Sequence, residues 1–75
     1  MDILADPTEI ETTTDGQTPS GALEISVKNI GTAVAMFNGV SLDIGEAKNY
    51  GFVGKAYKAL SYEVNGSKLR IKITL

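Results

Sequence analysis

The 75-residue sequence contains no cysteine, no histidine and no tryptophan. Without cysteine there is neither a disulfide framework nor a thiolate metal site, so stability has to come from packing. Without histidine or cysteine there is no Ser-His or Cys-His couple, and a general base would have to be a carboxylate or a lysine with a strongly displaced pKa. The residues therefore argue against an enzyme and supply no cofactor site. Long apolar runs are missing too: no stretch approaches the ~18 apolar residues of a membrane span. The opening MDILADP has no basic segment and no apolar core, so no export signal is expected. Two phenylalanines and three tyrosines are the whole aromatic supply. A single domain of this size buries only about 60% of the surface its unfolded chain exposes, and a partner subunit would add to that.

What is present is unevenly distributed. The formal net charge of -2 conceals a split. Residues 1–21 hold Asp2, Asp6, Glu9, Glu11 and Asp15 with no lysine or arginine, whereas residues 22–75 hold four acids against seven bases. An acidic N-terminal arm, 1–21, thus precedes a mildly basic body, 22–75. Within the arm, TEIETTTDGQTPSG (Thr8 to Gly21) is rich in Thr, acid, Gly and Pro and has only Ile10 to bury, so it reads as poorly anchored. Its β-branched content permits a strand once an edge is offered.

From Ala22 the pattern becomes regular. Leu23, Ile25 and Val27 alternate with Glu24, Ser26 and Lys28, the period of two of a strand with one buried face. Two Asn-Gly pairs then mark turns, since a two-residue type I′ turn needs positive φ at both central positions. Asn38-Gly39 sets Phe37 against Val40, Ala35 against Leu42 and Ala33 against Ile44, all apolar. Asn65-Gly66 sets Tyr62 against Leu69 and Leu60 against Ile71, with Glu63 facing Lys68, Ser61 facing Arg70 and Ala59 facing Lys72. This predicts a hairpin over 57–75. Ala47 to Phe52 forms a further short strand with Tyr50 and Phe52 on one side, and KAYKAL (Lys55 to Leu60) has enough helical propensity for a single turn. About six short strands with frequent turn signals indicate an all-β fold, a small antiparallel sandwich or barrel. Phe37, Tyr50, Phe52, Tyr57 and Tyr62 are its whole aromatic volume, assigned largely to a thin core.

Other motifs reduce to turns. In NYGFVGKA (Asn49 to Ala56) the Gly-Lys pair lacks the first glycine and the Ser/Thr of a phosphate-binding loop. Asp15-Gly16 and the pair Asp43 and Glu46 fall short of a calcium ligand set. Asn65-Gly66-Ser67 fits the glycosylation pattern without a secretory signal and reads as a turn. Lys68, Arg70 and Lys72 share one face of the last strand. With an acidic pI and aromatics assigned to the core, the stripe argues for a solvated strand face against a nucleic-acid site. A sharper reading makes it a contact face for the arm residues Glu9, Ile10 and Glu11, in the same subunit or in a neighbour.

The stretch VKNIGTAVAMFNGVSLDIGEAKNYGF (Val27 to Phe52), about a third of the chain, resembles small all-β structural proteins of bacteriophage virions. There, a strand, an Asn-x-Gly-Thr turn, an Asn-Gly hairpin, a Pro-Gly-Glu-like turn and an aromatic follow in order. Here those are Asn29, Gly31 and Thr32, then Asn38 and Gly39, then Gly45 and Glu46, then Tyr50 or Phe52, with Ile44 where proline is usual. Immunoglobulin-like modules of bacterial surface proteins share the rhythm. The resemblance implies a virion protein, assembled in the host cytoplasm, that self-associates and docks on other virion proteins of a capsid, tail or fibre. The alternative it leaves is an adhesion module that recognises carbohydrate or protein through its loops.

Overall fold

A computed structural model describes residues 7–75; residues 1–6 of the arm, with Asp2 and Asp6, lie outside the described residues. The fold is all-β: two four-stranded antiparallel sheets form a sandwich, and no helix occurs among the described residues, including Lys55 to Leu60. Six strands come from residues 22–75: β3 (Glu24–Asn29), β4 (Ala35–Phe37), β5 (Val40–Leu42), β6 (Ala47–Tyr50), β7 (Ser61–Glu63) and β8 (Leu69–Thr74). Two more, β1 (Pro7–Thr12) and β2 (Gly16–Gln17), come from the arm. The first sheet has the order β1-β8-β3-β6 and the second β2-β7-β4-β5.

Alternation decides what faces inward. Ile25 and Val27 on β3 and Leu69, Ile71 and Ile73 on β8 are buried, while Glu24, Lys28, Arg70 and Lys72 between them are exposed. The second sheet answers with Ala35, Phe37 and Leu42, and with Leu60 and Val64 on either side of β7. Phe37 bridges the layers, stacked on Tyr62 at 6.0 Å and tilted against Tyr50 of the opposite sheet at 5.8 Å. Tyr50 in turn meets Tyr57 edge-on at 6.1 Å, so four rings form one aromatic cluster across the core.

The first hairpin has the expected register: Ala35 pairs with Leu42, Met36 with Ser41 and Phe37 with Val40, and Asn38 (φ 53°) and Gly39 (φ 77°) are both left-handed. The pairing stops there, so Ile44 is solvent-exposed instead of facing Ala33. The second expected hairpin does not form. Asn65 (φ 54°) and Gly66 (φ 80°) do make a tight turn, closed by the Ser67 N–H donating to the Val64 carbonyl at 3.0 Å. However, β7 pairs with β2 and β4 while β8 pairs with β1 and β3. The turn therefore carries the chain from one sheet to the other. An arch between facing sheets puts the same residues inward as a hairpin does, so Tyr62 and Leu69 share the core without being neighbours on a ladder. The expected Glu63–Lys68, Ser61–Arg70 and Ala59–Lys72 pairs are absent for that reason. Phe52 also departs from its expected place in a strand: β6 ends at Tyr50, and the Gly51–Gly54 loop leaves Phe52 59% exposed.

Candidate functional site

The outer face of the first sheet carries its charge. The registers place Glu9, Lys72, Ser26 and Asn49 in one cross-strand row and Glu11, Arg70, Lys28 and Ala47 in the next. Glu11 is held from two sides. Its Oε1 lies 3.1 Å from Lys68 Nζ, and its Oε2 accepts hydrogen bonds from Arg70 Nη2 at 2.9 Å and Nε at 3.1 Å. The Arg70 hydrogen bonds first, and Lys68 beside them, hold the Glu11 carboxyl below its ordinary pKa. Further along, Ser26 Oγ donates to Asn49 Oδ1 at 2.7 Å. Glu9, Ser26, Lys28, Arg70 and Lys72 border a shallow, open groove of about 310 Å³. The sequence-derived contact residues Glu9, Ile10 and Glu11 thus stand opposite Lys72, Ile71 and Arg70 within one chain.

What holds β1 there is mostly main chain and charge. Its residues Pro7 to Glu11 are exposed, Ile10 by 40%, and Thr12 is half-buried, so the strand adds little to the core. It occupies the edge of the sheet, outside β8. With β1 seated, the four bases of this face, Lys28, Lys68, Arg70 and Lys72, are set against Glu9, Glu11 and Glu24. The stripe that a polyanion would need is already largely neutralised.

A second cluster, which the sequence reading missed, is buried at one end of the sandwich. Asn29 is fully buried and uses every position of its amide: Nδ2 donates to the Ala33 and Leu42 carbonyls at 2.8 and 2.9 Å, and Oδ1 accepts from Ser67 Oγ at 2.6 Å and the Gly31 N–H at 3.1 Å. Its backbone joins the β5–β6 turn, donating to Glu46 O and accepting from the Gly45 N–H. Gly31 passes so close to the 64–67 turn that an added Cβ would collide with Ser67 Oγ and the Lys68 nitrogen. A buried knot in which each polar side-chain atom has a protein partner ties three connections together, which is a structural role. The signal was present: Asn29 continues the inward phase of Ile25 and Val27, and Ser67 that of Leu69 and Ile71. Two polar residues in buried register need each other.

The remaining candidates serve the fold. Asp15 Oδ1 accepts the Val64 N–H at 2.8 Å, and Glu46 Oε1 accepts the Asp43 N–H at 2.9 Å. Glu46 closes its own turn and Asp15 ties the β1–β2 connection to the end of β7, and among the described residues no three potential acidic ligands gather round a common point. Asn38, Gly39, Asn65 and Gly66 are turn residues, and Ser67 of the glycosylation-like triplet is buried under its turn. Beside the start of β1, Pro7, Leu23, Phe52 and Thr74 line an apolar cleft flanked by Glu24 and Lys72, with Val53 67% exposed on the adjoining loop. Comparison with protein-family models, with curated proteins and with solved structures finds no match to this chain.

Proposed function

We propose that the protein is a non-enzymatic structural component of a bacteriophage virion, which self-associates and docks on a capsid, tail or fibre. The observation that carries this reading is the attachment of β1: an edge strand zipped onto β8 by its main chain and by Glu11, with its side chains outside the core. Strand addition of this kind joins separate proteins as readily as segments of one, because backbone hydrogen bonds supply affinity and side chains set the register. The Val27 to Phe52 cadence supports the virion setting. Sedimentation across micromolar to millimolar protein should reveal association, and the protein should co-sediment with particles or their parts from a lysate of the producing host. A strict monomer that stays with the soluble fraction would remove the proposal.

One feature favours the adhesion module as a second reading. Phe52 and Val53 stand exposed on a loop beside an apolar cleft, where a sugar ring or an aromatic side chain of a partner would stack. Specific glycan binding that disappears in Phe52→Ala at unchanged melting temperature would select it.

A further inference from the structure

We propose that β1 is an exchangeable strand, and that self-association proceeds by the β1 of one copy pairing with β8 of a second copy and the reverse. The inference rests on the self-association reading above and names its contact.

Three observations converge on it. First, everything that holds β1 is available equally from another copy: the six-residue register from Pro7–Thr74 to Thr12–Leu69, and the Glu11 contacts with Lys68 and Arg70. No side chain of β1 is fully buried, so leaving removes only the partial cover that Ile10 and Thr12 give the edge of the core. Exchange of an element that makes identical contacts in both forms costs little beyond the hinge.

Second, the hinge is short and sharply defined. From Asp15 onward the chain is pinned: Asp15 to the Val64 N–H, buried Thr18 to Leu60 through its own N–H and its Oγ1 at 2.8 Å each, and Gly21 and Ala22 to Tyr57. Only Thr13 and Thr14 separate that anchored segment from β1. The bend there is held by exposed hydrogen bonds between Thr12 Oγ1 and Thr14, at 3.1–3.2 Å, which water replaces readily.

Third, the vacated site selects its occupant. Without β1, Lys28, Lys68, Arg70 and Lys72 face solvent with Glu24 alone to oppose them, and the segment 7–12 carries Glu9 and Glu11 with no base. Opposite charge steers an incoming β1 and discourages an incoming β8. The closed form benefits from an effective concentration in the millimolar range, so dilute copies stay closed and exchange prevails where copies crowd together, as in an assembling shell.

The test uses two complementary full-length variants. In E9K/E11K both faces are basic, and in K68E/R70E/K72E both are acidic. Each alone should remain a folded monomer whose β1 has lost amide protection. A 1:1 mixture should form a heterodimer of twice the mass, with β1 protection restored in both chains and lost again in high salt. Variants that keep their sandwich by circular dichroism yet still sediment as monomers when mixed overturn the proposal. Deletion of Thr13 and Thr14 in the unaltered background provides a second arm: β1 can then no longer turn back, and a dimer is expected, whereas a monomer with β1 unprotected contradicts exchange. Failure of both leaves docking on a particle intact through another surface such as the Phe52 loop. Exchange without particle association removes the virion reading alone.

Discussion

The two Asn-Gly turns have the same chemistry and opposite consequences. Both place asparagine and glycine at positive φ, 53° and 77° in one, 54° and 80° in the other. Asn38-Gly39 keeps β4 and β5 side by side in one sheet, whereas Asn65-Gly66 sends the chain from the second sheet into the first. The flanks make the difference. Val40 beside the first turn is exposed, and its pairing with Phe37 is an ordinary ladder contact. Val64 and Ser67 around the second are both buried, and Ser67 is fastened to Asn29. An Asn-Gly pair reverses the backbone; what the neighbouring residues bury decides where the reversed chain goes.

Breaking the anchor of the second turn should have the largest effect. Asn29→Leu strips partners from the Gly31 N–H, the Ser67 hydroxyl and the Ala33 and Leu42 carbonyls, each worth about 1–3 kcal/mol when left buried and unpaired. A domain of this size has about 4–11 kcal/mol in all. We expect a protein largely unfolded in a room-temperature urea titration, and a loss under about 1 kcal/mol would remove the knot from the account. Gly31→Ala should be comparably severe, because its Cβ meets backbone.

A direct comparison of the turns comes next. Valine at a left-handed position costs about 1–3 kcal/mol in backbone strain. Gly66→Val should lie at the upper end, since the buried Val64 and Ser67 hold the turn rigid. Gly39→Val should lie at the lower end, since Val40 on one side of that turn is exposed. Equal losses in paired urea titrations would mean that the flanks do not distinguish the turns.

The same contrast explains what was legible in the sequence. The period of two in Leu23 to Lys28 and in Lys68 to Ile73 reports which face a residue takes, and the buried residues of β3 and β8 follow it. It does not report which strand lies alongside. Tyr62 and Leu69 satisfy the pattern equally as ladder neighbours and as residues facing each other across the core, so the arch looked like a hairpin. Leu23, at 37% exposure, and Phe52 show the complementary limit: apolar character alone does not bury a residue where the sheet has ended. The outward basic stripe and the acidic β1 residues were readable from charge, and their meeting on one sheet was not fixed by charge alone.

At the other extreme from the knot stands β1, whose only ion-pairing carboxylate among the described residues is exposed. Glu11 has a pKa held below its ordinary 4.5 when β1 is docked, by the Arg70 hydrogen bonds above all. The docked form therefore binds fewer protons than the open one. Its contribution is complete above the ordinary carboxylate range and is lost as pH falls through the lowered value. Amide protection factors in β1 should fall selectively on acidification below that range, while those of Ile25, Val27 and Ile71 stay high until global unfolding. Salt should weaken β1 protection in the same selective way, because the pair lies in water. Glu11→Gln should flatten the acid response and leave the melting temperature of the sandwich nearly unchanged. If the glutamine variant keeps the full acid step, the response belongs to another group. If β1 and the core lose protection together, β1 is part of the same cooperative unit as the knot, and the division between a tied end and a detachable strand fails.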